Sequence, residues 1–290
     1  MAVPPLAFAS VQDRKRLLEL YSIASLRGQW PRIGGTKDEL CFAVASDDGS
    51  QGAIVDFART FLTTCRQHVF VFSHNLDLNH LPAIAIPDAE KVAEYQDDGT
   101  RQIFYLHQFV YNVVLRDPLE EAELRFLWPI RLDFTVDHLA VKFITLEKNI
   151  ATYFDGRSYY ISRRSADEKS VLKEIEKSIK IEPADLHQGI KTLWDNDVID
   201  SPRAKFKKTY STSDEAMDEN RYIKEHDPEL YEIVKDLPLF NTLFHVLPDN
   251  GINVDVFSVD PSRGIINFPR YSENVGDTDH LVREILRQNQ

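Results

Sequence analysis

The sequence predicts an α+β fold in three parts: a small N-terminal helical hairpin over 1–48, a central mixed sheet with flanking helices over 49–164, and a C-terminal α/β region over 165–290. Three observations predict it. Apolar residues recur at helical spacing on both sides of a glycine-rich turn near the start. Aromatic and β-branched runs dominate the middle of the chain, and charged amphipathic stretches alternate with strand-like ones after Ser165.

The elements follow in order. "DRKRLLELYSIASL" places Leu17, Leu18, Tyr21, Ile23 and Leu26 on one helical stripe, which Gly28, Pro31, Gly34 and Gly35 then break. Thr36 stands at the N-cap of a second helix running from Lys37 to about Ala45, with Glu39 as its capping-box partner. "SDDGSQG" (46–52) reads as a linker and "AIVDFARTFLTTC" as a helix. "HVFVFSHN" alternates as a strand does, and β character continues through "RQIFYLHQFVYNVVLR" and "LDFTVDHLAVKFITLE". "ATYFDGRSYYISRR" predicts a hairpin with Asp155-Gly156 at its tip. Past Ser165, "SADEKSVLKEIEKSIKI" predicts a helix capped by Ser165 and Glu168, and "EPADLHQGIKTLWDNDVID" a second one with Pro183 at its start. A basic strand, an acidic helical stretch broken at Pro228, two strands around "SVDPSRG" and a closing helix "DTDHLVREILRQN" complete the chain.

Composition bounds the function. With 43% hydrophobic and 11% aromatic residues, the chain carries enough apolar mass to fold, which excludes a disordered tail. A net charge of −12 repels phosphate at long range, so any nucleic-acid contact has to come from a local basic patch. Cys41 and Cys65 cannot build a disulfide framework. The opening "MAVPPLAFAS" lacks a signal-peptide pattern, and no stretch is apolar for the roughly 18 residues a membrane helix needs. The expectation is a cytoplasmic protein, or a nuclear one in a eukaryote, that engages no membrane.

Residues 26–45 resemble a SAP-type helix-turn-helix motif, a small DNA-binding module. The resemblance rests on "LRG" (26–28) and on Gly35, Thr36, Lys37, Asp38, Glu39 and Leu40, which match the G-x-K-x-E-L entry into the family's second helix. It implies that Arg32, Thr36 and Lys37 approach DNA phosphates at a helix N-terminus, where the backbone amides favour anions. The turn between Gly28 and Gly35 is longer than the family's, and the second helix continues "CFAVA" where the family carries a basic residue. A plain, well-capped helical hairpin is the alternative.

A second segment, "DLHQGIKTLWDNDVIDSPRAKFKKTY" (185–210), resembles the last helix and wing of a winged-helix domain. Its "SPRAKFKKTY" holds Arg203, Lys205, Lys207 and Lys208 and no acid. Strand alternation puts Lys205 and Lys207 on one face and Phe206 and Lys208 on the other, so that Phe206 anchors the core while two lysines face phosphate. The alternative is a solvated edge strand whose lysines deter edge-to-edge pairing.

Other clusters carry less. Cys65, His68, His74 and His80 are zinc-ligand types, but a strand would carry His74 about 20 Å from His68. Asp133, Asp137 and Lys142, or Asp56, are candidates for a metal-dependent nuclease. The acidic "STSDEAMDENRYIKEHDPE" reads as a helix screening the neighbouring lysines, or as a face that regulates access to them. No phosphate-binding loop, nucleophile elbow or dinucleotide fingerprint is present, and no cofactor is implied. The reading is a DNA-associated, non-enzymatic protein. Its alternatives are a protein-interaction subunit of a larger complex, through a protein partner or self-association, and a nuclease.

Overall fold

The computed structural model describes residues 66–97, 99–146, 150–154, 156–207, 212–216, 221–248, 250–270, 272 and 276–289. The SAP-like hairpin, with Arg32, Thr36 and Lys37, lies outside the described residues, as do the helix expected at 53–65, with Asp56 and Cys65, and Lys208.

The described strands, in chain order, are β1 (Gln67–Ser73), β2 (Ala89–Asp97), β3 (Thr100–Leu115), β4 (Glu120–Phe134), β5 (His138–Ile144), β6 (Tyr159–Arg164), β7 (Glu182–Pro183), β8 (Ile199–Lys207), β9 (Thr212–Ala216), β10 (Thr242–Val246), β11 (Val256–Asp260) and β12 (Ile265–Phe268). The helices are α1 (Glu168–Ser178), α2 (His187–Asp195), α3 (Ile223–His226), α4 (Pro228–Val234) and α5 (Asp277–Gln288). The strands form one sheet in the order β2-β3-β4-β5-β1-β12-β11-β10-β8-β9, with β6 on β3 and β7 on β1. Every registered pair is antiparallel.

This corrects the expected α+β arrangement of a mixed sheet with a separate α/β region. The turns after β3 (116–119) and β4 (135–137) are too short for the crossover that parallel neighbours need, so the strands they join must return antiparallel. The helices after Ser165 punctuate the same sheet and do not wind a new one. Among the described residues, no helix is long and apolar enough to cross a membrane.

The chain divides into two compact units. One comprises 79–132 and 143–180 within the described residues. Its backbone is β3, where Ile103, Tyr105, His107, Phe109, Tyr111, Val113 and Leu115 alternate onto one buried face. Trp128 joins them, with ring centroids 5.6 Å from Phe109 and 5.1 Å from Phe143, and its Nε1 donates to the carbonyl of Ile144 at 3.0 Å. The expected hairpin over 151–164 is not formed. Residues 151–154 make a 3-10 turn, and β6 pairs with β3 instead.

The other unit comprises 66–78, 133–142 and 181–289 of the described residues. Val69 and Val71 of β1, Ala204 and Phe206 of β8, Phe244, Phe257 and Phe268 share one core with Ile190, Leu193 and Trp194 of α2 and Leu281 and Ile285 of α5. The helix α2 approaches α5 so closely that a Cβ at Gly189 would lie 2.2 Å from the Ile285 carbonyl oxygen.

Capping differs from expectation at two helices. α1 is capped by Asp167, whose Oδ1 accepts from Ser170 N at 2.7 Å while its own N–H donates to Ser170 Oγ at 2.9 Å. Ser165 is instead bound to β3, accepting from Val110 N at 2.9 Å. Pro183 belongs to β7 rather than to the start of α2. The break at Pro228 falls where the sequence puts it, with Asp227 accepting from Leu230 N at 3.0 Å to cap α4.

Candidate nucleic-acid interface

β8 carries the basic residues that the sequence singles out. Its first turn is fixed by Asp200, which is buried. Asp200 Oδ1 accepts from Trp194 Nε1 at 2.8 Å, from Ser201 N at 2.7 Å and from Lys224 N at 3.4 Å. Burial raises its pKa above the ordinary 3.8, against the pull of these donors. The β8–β10 register then slips between the pairs Asp200↔His245 and Arg203↔Leu243, a bulge that accommodates Pro202, which has no N–H to give. Ser201 Oγ braces this bulge by donating at 2.5 Å to Leu243 O.

Beyond the bulge the strand alternates cleanly. Ala204 and Phe206 are 0% and 1% exposed, whereas Arg203 and Lys207 are exposed and Lys205 half-buried on the opposite face. The structure therefore brings Arg203, Lys205 and Lys207 together, with next-but-one residues about 6.6 Å apart along the strand. The backbone of Lys205 is held by Thr242, whose Oγ1 accepts from its N–H at 3.2 Å, and by Phe240 N, which donates to its carbonyl at 3.0 Å.

Two expectations about this segment are overturned. β8 is not an edge strand, because β10 and β9 flank it and β9 takes the edge. Nor do α2 and β8 make a winged helix, since β8 is an interior strand of the large sheet. Part of the acidic stretch expected to be helical is β9 itself, whose Asp214 stands across from Lys205 in backbone register. That acid sequence is low in apolar residues but pairs along its backbone, a contact that hydrophobic periodicity cannot reveal.

The carboxylates proposed for metal chemistry separate. Asp133 joins Lys142, whose buried Nζ lies 2.7 Å from Asp133 Oδ2 and 2.6 Å from Asp279 Oδ1. The ammonium thus neutralises the site from within. Asp137 is in the turn after β4 and contacts His138 Nδ1 at 2.7 Å. Beside the cluster, fully buried Gln67 donates through Nε2 to Thr278 Oγ1 at 2.8 Å, and Ser272 Oγ donates to Asp277 Oδ2 at 2.7 Å. Asp279 and Gln67 escape a sequence reading because they stand 137 and 211 residues from Lys142 and Thr278, their respective partners. Only the sheet order brings them in.

His68 lies within β1, His74 just past its end, and His80 closes a 3-10 turn at 78–80. His74 Nδ1 accepts from Leu76 N at 3.1 Å, and its ring meets Phe134 edge-on at 5.7 Å. Burial lowers the His74 pKa from 6.5. Among the described residues, no group of three His, Cys, Asp or Glu is gathered to hold a metal ion. Comparison with protein-family models, with curated proteins and with solved structures finds no match to this chain.

Proposed function

We propose that this is a DNA-associated, non-enzymatic protein that contacts phosphate through the exposed face of β8. The observation that supports the reading is the mounting of Arg203, Lys205 and Lys207, three cations on one face of a strand whose other face is locked by Ala204 and Phe206. Preorganised side chains lose less freedom on binding than cations on a loose tail. An acidic body, at net charge −12, repels DNA elsewhere and keeps non-specific binding low. Arg32, Thr36, Lys37 and Lys208 would extend the contact if the SAP-like segment acts alongside β8. The compartment proposed is the cytoplasm, or the nucleus of a eukaryote.

The test is fluorescence anisotropy with a labelled duplex at about 50 and 200 mM salt. Three phosphate contacts give a log–log salt slope of roughly −2.7, a loss of about 40-fold across that range. Lys205→Ala with Lys207→Ala should reduce the slope by about two contacts' worth. A parallel sample with magnesium, run on a gel, should leave the DNA uncut. Absence of binding at both salts overturns the reading, and metal-dependent cutting replaces it with the nuclease.

A further inference from the structure

β3 carries two strands along the edge that faces away from β4. β2 pairs with its first half, from Asp97↔Thr100 to Ala89↔His107. β6 pairs with its second half, from Tyr111↔Arg164 to Leu115↔Tyr159. The two abut, since Gln108 N donates to Asp88 O at 2.7 Å and Ser165 N to Val110 O at 2.9 Å. Both run antiparallel to β3, so β2 and β6 point the same way and make one composite edge, which no other described strand covers.

The charges on this edge are segregated. The β2 end bears Asp88, Glu90, Glu94 and Asp97 against Lys91. Glu94 is already held by Lys91 at 2.6 Å and by Arg101, which leaves Asp88 and Glu90, both exposed, nearest the junction. The β6 end bears Arg163 and Arg164 and no acid. Arg164 covers the Tyr111 ring at 5.5 Å, and Arg163 is exposed. Tyr160, at 48% exposure, is one of the large apolar side chains left to solvent among the described residues. Charges on an edge strand ordinarily prevent pairing with another edge. Here they prevent it in one orientation and favour it in the other.

We infer that this edge pairs with the same edge of a second copy of the chain, through a two-fold axis at Phe109 that sets each β6 antiparallel to the other copy's β2. The register fixes the axis. Arg163 lies across from Asn112 and Glu90 across from Leu106, three positions either side of Phe109. Tyr160 lies across from Val114 and Ala93 across from Phe104, five positions either side. A two-fold there therefore opposes Arg163 to the second copy's Glu90, with the second copy's Asp88 nearby. It also lays Tyr160 over the second copy's Ala93, a residue small enough to receive a ring. A perpendicular two-fold keeps the sheet faces in register, so each opposed pair shares a face. The contact is isologous and closes at two copies, because each copy's β2/β6 edge is used up by the other's.

The experiment is sedimentation velocity on the full chain across a range of concentrations. A concentration-dependent monomer–dimer equilibrium, weakened by salt, is expected for the unaltered chain. Arg163→Glu and Glu90→Arg should each shift it to monomer, because each sets like charges against one another. The double variant, which exchanges the two charges, should restore the dimer and shows that neither change has merely unfolded the chain. A monomer at all concentrations overturns the inference, as does a dimer indifferent to either single change, a double variant that stays monomeric, or assembly beyond two copies.

Discussion

β8 and β6 both expose cations, Arg203 and Lys207 on the one and Arg163 and Arg164 on the other, yet they are built differently. β8 is flanked on both sides and has a sealed apolar face, with Phe206 1% exposed. β6 is flanked on one side only, and its Ile161 is just half-buried. An interior strand presents side chains and nothing else, because its backbone N–H and C=O groups are already bonded. An edge strand presents a backbone as well. The first therefore suits a charged partner that brings its own shape, and the second suits another strand. Composition alone cannot separate the two: "RAKFK" and "ISRR" look alike until their neighbours are known.

The comparison breaks most sharply at the aromatic anchors. Phe206→Ala should cost about 3–5 kcal/mol in denaturant unfolding, as large buried side chains do, whereas Tyr160→Ala at the edge should cost roughly 0.5 kcal/mol or less. Equal losses would mean that β6 is as deeply built in as β8. Next comes the anchor of the β8 bulge. Asp200→Ala orphans the Trp194 and Ser201 N–H groups and should cost about 1–3 kcal/mol, while Asp200→Asn keeps an acceptor and removes the buried charge. Because its pKa is raised in the folded state, Asp200 disfavours folding increasingly as pH rises above 3.8 through the folded value. The stability gap between the unaltered chain and Asp200→Asn should therefore move in the variant's favour across that window, and a gap constant with pH would show that Asp200 does not titrate abnormally.

A smaller effect belongs to the strand that supports β6. His107 of β3 is buried against Trp128 at 6.0 Å, and burial lowers its pKa from 6.5. The unfolded chain then binds the proton more readily than the folded one, so the stabilisation is complete above 6.5 and is lost as pH falls through the lowered folded value. His107→Gln should flatten the dependence of Tm on pH below neutrality, with His74, also lowered by burial, contributing in the same direction. The smallest expected change in stability, within about 0.5 kcal/mol, belongs to Lys207→Ala on the exposed face of β8, whose effect should appear in DNA affinity instead.

What was legible in the sequence was mostly local. The aromatic and β-branched content of "RQIFYLHQFVYNVVLR" marks β3, and Pro261 with Gly264 marks the turn between β11 and β12. The facing of Phe206 away from Lys205 and Lys207 was also readable, since alternation needs no partner. What was not legible was pairing. The neighbours of β8, the place of Asp279 beside Lys142 and the use of β6 on β3 all depend on contacts between residues tens to hundreds of positions apart. Acidic β9 was hidden for a further reason: a strand bonded through its backbone at a sheet edge needs little apolar pattern of its own.

The pairing of β1 with β12 joins Gln67 to Phe268, and Gly264 approaches Val71 so closely that a Cβ there would fall 2.2 Å from the Val71 carbonyl oxygen. During synthesis at roughly 5–20 residues per second, β1 waits about 10–40 s for the strand that completes it. Throughout that interval a valine- and phenylalanine-rich segment is without its final neighbour on the growing chain. The 66–78, 133–142 and 181–289 unit therefore cannot complete its sheet until residue 268 has been made, whereas the β3–β4 hairpin of the other unit joins strands that are neighbours in the sequence.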